Sequence, residues 1–479
     1  MLTICFLFAE IAKRHLNNSK EYFELYGKVR DDLKDYTRHS LTVGSVDIGA
    51  GTTDVMICAY EYSESGQTTL KPIPLFWESF YYAGDDLLKE FVHQFIIEGQ
   101  FGAIKNKLKE IGKENESQAL LSDFFGPDHS RMSFRDRQYR KDFNIQVSLP
   151  IALKFLELAQ KNVLSKVLSF QDIFNSGNFP NEKVLNHFEG HFGFSFMSIS
   201  WNYKAENANP IIIRTFEPLL QKIAGLMYAY KCDFVLLAGR PTSLKQIEDL
   251  FLKFYPVAPN RLKTLNNYRV GRWYPFQDGD GYFENQKSIV SIGAMIGYIA
   301  SAKGGLDGFS LDLSDLIEKF KPTTDYFGLL NEQTRRFKDA LLSPTNNHAK
   351  FEITSLPIKL GCRQLDTEAY PTRVFYLLDF NFENIADKIR QKGITDVNQI
   401  KEHIEKELLR IRSKMPLTIT ILRENFVTDK ETILLDSVFD VDQNDLPLNY
   451  FNLHVQSMSD AENFWLDSGE FKLDIRLRK

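Results

Sequence analysis

Between Val46 and Ile57 the chain reads VDIGAGTTDVMI, which crowds two carboxylates (Asp47, Asp54), two glycines (Gly49, Gly51) and two threonines (Thr52, Thr53) into one short stretch. Val43 to Val46 predicts a buried strand and Val55 to Ala59 its partner, so Gly49 to Thr53 must form a small-residue turn between them. Glycine tolerates positive φ and carries no Cβ, so successive backbone N–H groups of such a turn can converge on an anion. Thr52 and Thr53 add hydroxyl donors. Carboxylates beside a phosphate need a cation to carry the charge, and Asp47 and Asp54 suit Mg²⁺ held through its waters; one of them could also orient an attacking water. A plain hairpin turn with no ligand uses the same residue types.

The second segment is Asp233 to Leu244, DFVLLAGRPTSL. An apolar run of strand length ends at Ala238-Gly239, and a polar loop then opens a helix from Leu244 to Tyr255. Backbone donors and the helix dipole at such a turn favour the polar groups of a nucleotide, although an ordinary βα unit reads the same way.

Together these segments resemble the ATPase core shared by actin, DnaK-type chaperones and sugar kinases. DIGAGTTD (Asp47 to Asp54) looks like that superfamily's second phosphate motif and LLAGRPTSL (Leu236 to Leu244) like its adenosine motif. SIVSIGAMIGYIA (Ser288 to Ala300) resembles the second connecting helix, with a small face of Gly293, Ala294 and Gly297 for close packing. Three flanking runs, RLKTLNNYRVGRWYPF (Arg261 to Phe276), LPIKLGCRQLDTEAYPTRVFYLL (Leu356 to Leu378) and LHVQSMSDAENFWLDSGEF (Leu453 to Phe471), are similar to the bacterial virulence factor SrfB family. The resemblance implies bound ATP and Mg²⁺, with Asp47 and Asp54 at the metal, Gly49, Gly51, Thr52 and Thr53 on phosphate, and Ala238 and Gly239 behind the adenosine. It also implies a water-positioning glutamate near the first connecting helix, for which Glu10 is the candidate beside Asp47. A solvent-facing helix glutamate is the commoner reading of Glu10.

The superfamily's first phosphate hairpin has no counterpart before Asp47. Residues 1–40 are helical in pattern, with Ile4, Leu7, Phe8, Ile11 and Ala12 at helix spacing. The chain therefore looks like the second half of such an ATPase, needing an upstream half for activity. The expected fold class is α/β: an actin-like (ribonuclease H-like) ATPase half with a helical insertion, then an α+β domain with an antiparallel sheet. The expected divisions are a connecting-helix region at 1–40, the ATPase half at 41–303 with a mostly helical insertion at 87–230, and the α+β domain at 304–479.

Composition bounds the alternatives. With 58 basic and 63 acidic residues the net charge is −5, so no global electrostatic pull toward nucleic acid exists. The cysteines Cys5, Cys58, Cys232 and Cys362 show no zinc spacing, and buried reduced thiols are expected. No apolar run approaches membrane-span length, so a cytoplasmic location is expected, with secretion left open. Gly84, Asp85 and Asp86 resemble a glycine-acid turn whose acids cap a helix. The basic stretch SRMSFRDRQYRK (Ser130 to Lys141) reads as a solvated loop, and Glu157 and Lys161 as an i,i+4 ion pair or an adenosine-facing pair. The aromatic loop Tyr268 to Tyr282 should pack on its own domain. Strands are expected at Phe351 to Leu360, Arg373 to Phe380, Leu417 to Arg423, Thr432 to Phe439, Phe451 to Ser457 and Phe471 to Leu477.

Two functions follow. One is nucleotide-driven conformational change in a virulence-associated protein with protein partners. The other is a non-catalytic scaffold that keeps a degenerate nucleotide fold. Sugar kinase activity is a weaker third, because nothing in the sequence points to an acceptor.

Overall fold

The short strand β1 (Lys28–Val29) precedes β2 (His39–Ile48), whose residues 40–46 are all buried. A strand buried on both faces needs cover on both sides. The computed structural model describes residues 1–479 apart from 16–17, 31–38, 64–67, 127–131, 176, 259, 286, 303–305, 307, 315, 317–325, 332–335, 364–372, 426–430, 456–464, 472 and 474–479. In it β2 forms a hairpin with β3 (Thr53–Ser63), and β3 pairs in turn with β4 (Thr68–Phe80). A long helical excursion follows, carrying the two-stranded ribbon of β5 (Ser165–Leu168) and β6 (Trp201–Lys204). The chain then returns to the sheet as β7 (Phe234–Ala238), β8 (Leu262–Thr264) and β9 (Phe309–Leu311).

The sheet order is β8-β7-β2-β3-β4-β9, with β1 beside the start of β2. β2, β7 and β8 run parallel, whereas β2, β3 and β4 form an antiparallel meander. The protein is thus a mixed α/β fold built on a mixed sheet.

One face of that sheet is covered by the start of the chain. Helix Leu2–Leu7 continues through a π-helical stretch, Phe8–Arg14, to helix Ser19–Tyr26, which Asn18 caps. These pack with helix Lys287–Ser301 around Leu41, Val43, Phe234 and Leu236. Gly293 makes the helix contact possible, because a Cβ there would lie 2.2 Å from the Met1 carbonyl oxygen. Gly297 faces Ile4 on the same side. Ala294, expected to share this small face, is exposed instead. One residue turns a helix by roughly 100°, which carries position 294 off the stripe shared by 293 and 297. The opposite sheet face is covered by helix Ala205–Ala229, where Gly44 leaves room for Met227.

The aromatic loop packs on its own domain as expected: Phe6 meets Tyr268 and Phe8 meets Trp273, with ring centroids 5.6 and 5.0 Å apart. All four cysteines are buried thiols outside any disulfide. Burial pushes Cys5, Cys58 and Cys232 up to about 12, so these thiols stay protonated and unreactive near neutral pH.

Between β4 and β7 the chain is mostly helical. The basic stretch expected as a solvated loop is, from Phe134 to Phe143, a helix capped reciprocally by Ser133 and Asp136. Arg140 is 1% exposed. Its guanidinium donates to the carbonyls of Gly126 (3.0 Å) and Ser468 (2.9 Å) and pairs with Glu470 at 3.2 Å. The Trp465 carbonyl accepts from Asn144 Nδ2 at 2.8 Å, and the Trp465 ring contacts Phe471.

The chain forms two compact units, Met1–Leu313 with Glu462–Lys479, and Ser314–Ala461. The second unit contains β10 (Tyr326–Leu329), β11 (His348–Ile353), β12 (Ile358–Arg363), β13 (Arg373–Phe380), β14 (Leu417–Asn425), β15 (Glu431–Phe439) and β16 (Phe451–Val455). These form two antiparallel sheets, β10-β12-β13-β16 and β11-β14-β15, with helices Phe382–Gln391 and Val397–Arg412. The single strand expected from Phe351 to Leu360 is therefore two strands in different sheets. Pro357 lacks an N–H and interrupts the ladder between them. The strand expected from Phe471 to Leu477 falls mostly outside the described residues.

Candidate functional site

The β2–β3 register pairs Asp47 with Asp54 and Ile48 with Thr53, leaving residues 49–52 as the connecting loop. Thr53 is thus the first residue of β3 and not part of the turn. It is fully buried, and its hydroxyl donates to the Tyr82 carbonyl at 2.7 Å, bracing the hairpin against the chain that leaves β4. Thr52 stands partly exposed, 3.4 Å from an Asp54 carboxylate oxygen.

The loop is closed by its own bond, Gly49 N–H to the Thr52 carbonyl at 2.8 Å. The Gly49 and Ala50 carbonyls accept from the N–H groups of Gly84 (3.0 Å) and Asp85 (2.7 Å), the first amides of helix Gly84–Phe91. Glycine suits position 84, since a Cβ there would sit tightly, 3.1 Å from the Gly49 oxygen and 3.2 Å from Pro241 Cγ. Asp86 caps that helix, accepting from Ala83 N–H at 2.8 Å, which is the role its sequence context suggested. The N–H groups of Ala50, Gly51 and Thr52 have no acceptor among the described residues. Three consecutive unpaired amides at a small-residue tip are the makings of an anion nest.

The other half of the site comes from β7. In the parallel register Asp47 is paired with Ala238, at the carboxyl ends of both strands. The next residue, Gly239, has φ +90°, and a Cβ there would lie 2.0 Å from the Ile48 carbonyl oxygen and 2.8 Å from Asp47 Oδ1. Only glycine lets the chain leave β7 this close to the acid. Thr242 then fastens the turn by donating from its hydroxyl to the Gly239 carbonyl at 2.8 Å.

Electrostatics distinguish the two acids. Burial, and next the Asp54 charge across the hairpin, push the Asp47 carboxyl up from its ordinary 3.8. Asp54 is exposed and accepts a hydrogen bond from the Ser79 hydroxyl on β4. Two carboxylates facing each other across a hairpin repel, and a cation between them would relieve the repulsion. Among the described residues no set of three or more His, Cys, Asp or Glu is gathered for a metal. The donor set is therefore too small for an all-protein cage. It fits a Mg²⁺ that keeps most of its waters and completes its shell with phosphate oxygens.

The tip thus brings together Asp47, Gly49, Gly51, Thr52, Asp54, Ala238 and Gly239. Glu10 is not brought there. It is buried, accepts from the Tyr268 hydroxyl and pairs with Arg14 at 2.5 Å. Tyr268 and Tyr22 lie beside this group; the Tyr22 ring contacts Phe234, and the Tyr268 ring contacts Phe6, which itself contacts Phe234. Phe234 is in register with Val43, four residues and roughly 13 Å of strand before Asp47. Glu157 and Lys161 form the expected ion pair at 2.6 Å, with Lys161 largely exposed. Ser79 is the site residue that sequence reading missed: only the β3–β4 register, which sets it opposite Asp54, identifies it.

Fold and site together define a mixed α/β protein with an acid-flanked, glycine-rich hairpin at the carboxyl ends of two parallel strands. The family described as Virulence factor SrfB matches residues 2–472, and the chain belongs to that family. No curated protein matches the sequence. Among the described residues no helix is long and apolar enough to cross a membrane.

Proposed function

We propose that this SrfB-family protein binds a nucleotide phosphate chain with Mg²⁺ at the β2–β3 tip, and that occupancy changes the protein's conformation. The observation that supports this most is the register of Asp47 with Ala238. It joins the acid pair, the unpaired tip amides and the Gly239 turn at one end of a mixed sheet. Ligands of open α/β sheets bind outside the carboxyl ends of parallel strands.

In this reading the N–H groups of Ala50, Gly51 and Thr52 hold phosphate oxygens, with the Thr52 hydroxyl beside them. Asp47 and Asp54 hold waters of the metal, and Ser79 fixes the Asp54 carboxylate. Mg²⁺ would supply charge neutralisation of the phosphates. Gly239 keeps the adenosine side open by carrying no side chain. Thr53 holds the hairpin in shape, and Ala238, which is buried, supports the turn from within the core. ATP is the nucleotide implied by the resemblance to actin-like ATPases. Hydrolysis would need a water-positioning group other than Glu10, which is held by Tyr268 and Arg14. Asp47, which could orient an attacking water, is the remaining candidate for that task.

Calorimetric titration of the full chain with Mg²⁺-ATP tests the reading, with Asp47→Ala as the comparison. Saturable heat that Asp47→Ala abolishes is the expected outcome. No heat from the unsubstituted protein, or heat indifferent to Asp47→Ala, favours the scaffold reading.

A further inference from the structure

We propose that the helical region between β4 and β7 carries a second binding site, a cleft that takes a neutral saccharide. The cleft encloses about 400 Å³, within the range of roughly 300–1,000 Å³ common to small-molecule sites. Its accessible aromatic face is Phe101, half-buried and stacked on the buried Phe95 with ring centroids 5.8 Å apart, while Phe155 and Trp201 lie in the core behind the wall. Its rim carries the carboxamides of Asn106, Asn202 and Asn207, none of which has a hydrogen-bond partner among the described residues. The buried indole Nε1 of Trp201 is likewise unpartnered.

Charge decides the ligand class. The rim lysines are already paired, Lys107 with Glu110 at 2.9 Å and Lys204 with Glu206 at 3.3 Å. An anion would have to break one of these pairs to gain a cation. A carboxamide both donates and accepts, so three of them suit a neutral ligand with neighbouring groups that do the same. The half-buried ring of Phe101 beside them supplies an apolar face. A pyranose combines both surfaces, hydroxyls at its edge and C–H groups on its face. Phe95 also lies on the π-helical continuation, Val92–Ile97, of the helix whose first amides hold the Gly49 and Ala50 carbonyls, so one helix touches both sites.

Saturation-transfer NMR on the full chain provides the test, with N-acetylglucosamine trisaccharide and cellotriose as probes and trialanine as the peptide control. Saturable transfer to the ring protons of at least one saccharide at millimolar concentration is expected. The double variant Asn106→Ala with Asn202→Ala should weaken it roughly tenfold, without moving the unfolding midpoint, because both side chains are exposed. If that midpoint does move, Asn207→Ala takes the place of the double variant. Absence of saturable transfer from either saccharide, transfer that survives the substitutions, or transfer to trialanine alone overturns the proposal.

Discussion

Asp47 is held in a position that costs folding energy. A carboxyl raised by burial and by a facing acid contributes stability that is fully present below its ordinary value of 3.8 and lost as pH rises through the raised one. At neutral pH the ionised pair therefore weakens the fold, and a cation should restore part of the loss. Asp47→Asn is expected to stabilise the metal-free protein by roughly 0.5 kcal/mol, the scale of a like-charge cross-strand pair. The same variant should lose the rise in thermal midpoint that Mg²⁺-ATP gives the unsubstituted protein. Scanning calorimetry across acidic to neutral pH checks both, and a lower midpoint for Asp47→Asn at neutral pH would show that its carboxylate stabilises the fold. Gains of this sign mark groups kept for function rather than for stability.

At the scale of elements, the hairpin, the β7–glycine–helix unit and helix Lys287–Ser301 are legible in the sequence, because apolar runs and glycines mark them locally. What is not legible depends on pairing. Thr53 is assigned to the turn by its neighbours and to β3 by register, and register comes from the whole hairpin. Ser79 has no local signal at all. Phe351 to Leu360 is one apolar-rich run by composition, yet its halves pair with different strands. The close contact between helix Leu2–Leu7 and helix Lys287–Ser301 rests on Gly293. Gly293→Ala would place a Cβ against the Met1 carbonyl, so the helices must part, and a loss of about 2 kcal/mol is expected. Urea unfolding measures it, and an unchanged midpoint would mean that the start of the chain shifts freely.

Across the molecule, distant segments are tied together by single side chains. Arg140 reaches the Ser468 carbonyl and Glu470, 328 and 330 residues later in the chain. Its identity as a buried anchor could not be read from a stretch with five basic residues in twelve, since five similar side chains look alike until the fold buries one. Arg140→Met leaves Glu470 and the Gly126 and Ser468 carbonyls short of a donor. A loss of about 3 kcal/mol is expected, with faster proteolysis near Ser468 as the second readout. Unchanged cleavage would mean that Trp465 and Phe471 hold that segment without the arginine.

The same long-range assembly makes the candidate site, because Asp47 and Gly239 meet only through the parallel pairing of β2 and β7. Paramagnetic NMR with Mn²⁺-ATP in place of Mg²⁺-ATP reads that site directly. The amide signals of Ala50, Gly51 and Thr52 should broaden first and saturably, with Gly239 next. Broadening that spares the tip, or that spreads without saturation over exposed acids throughout the chain, would contradict a nucleotide site at this hairpin.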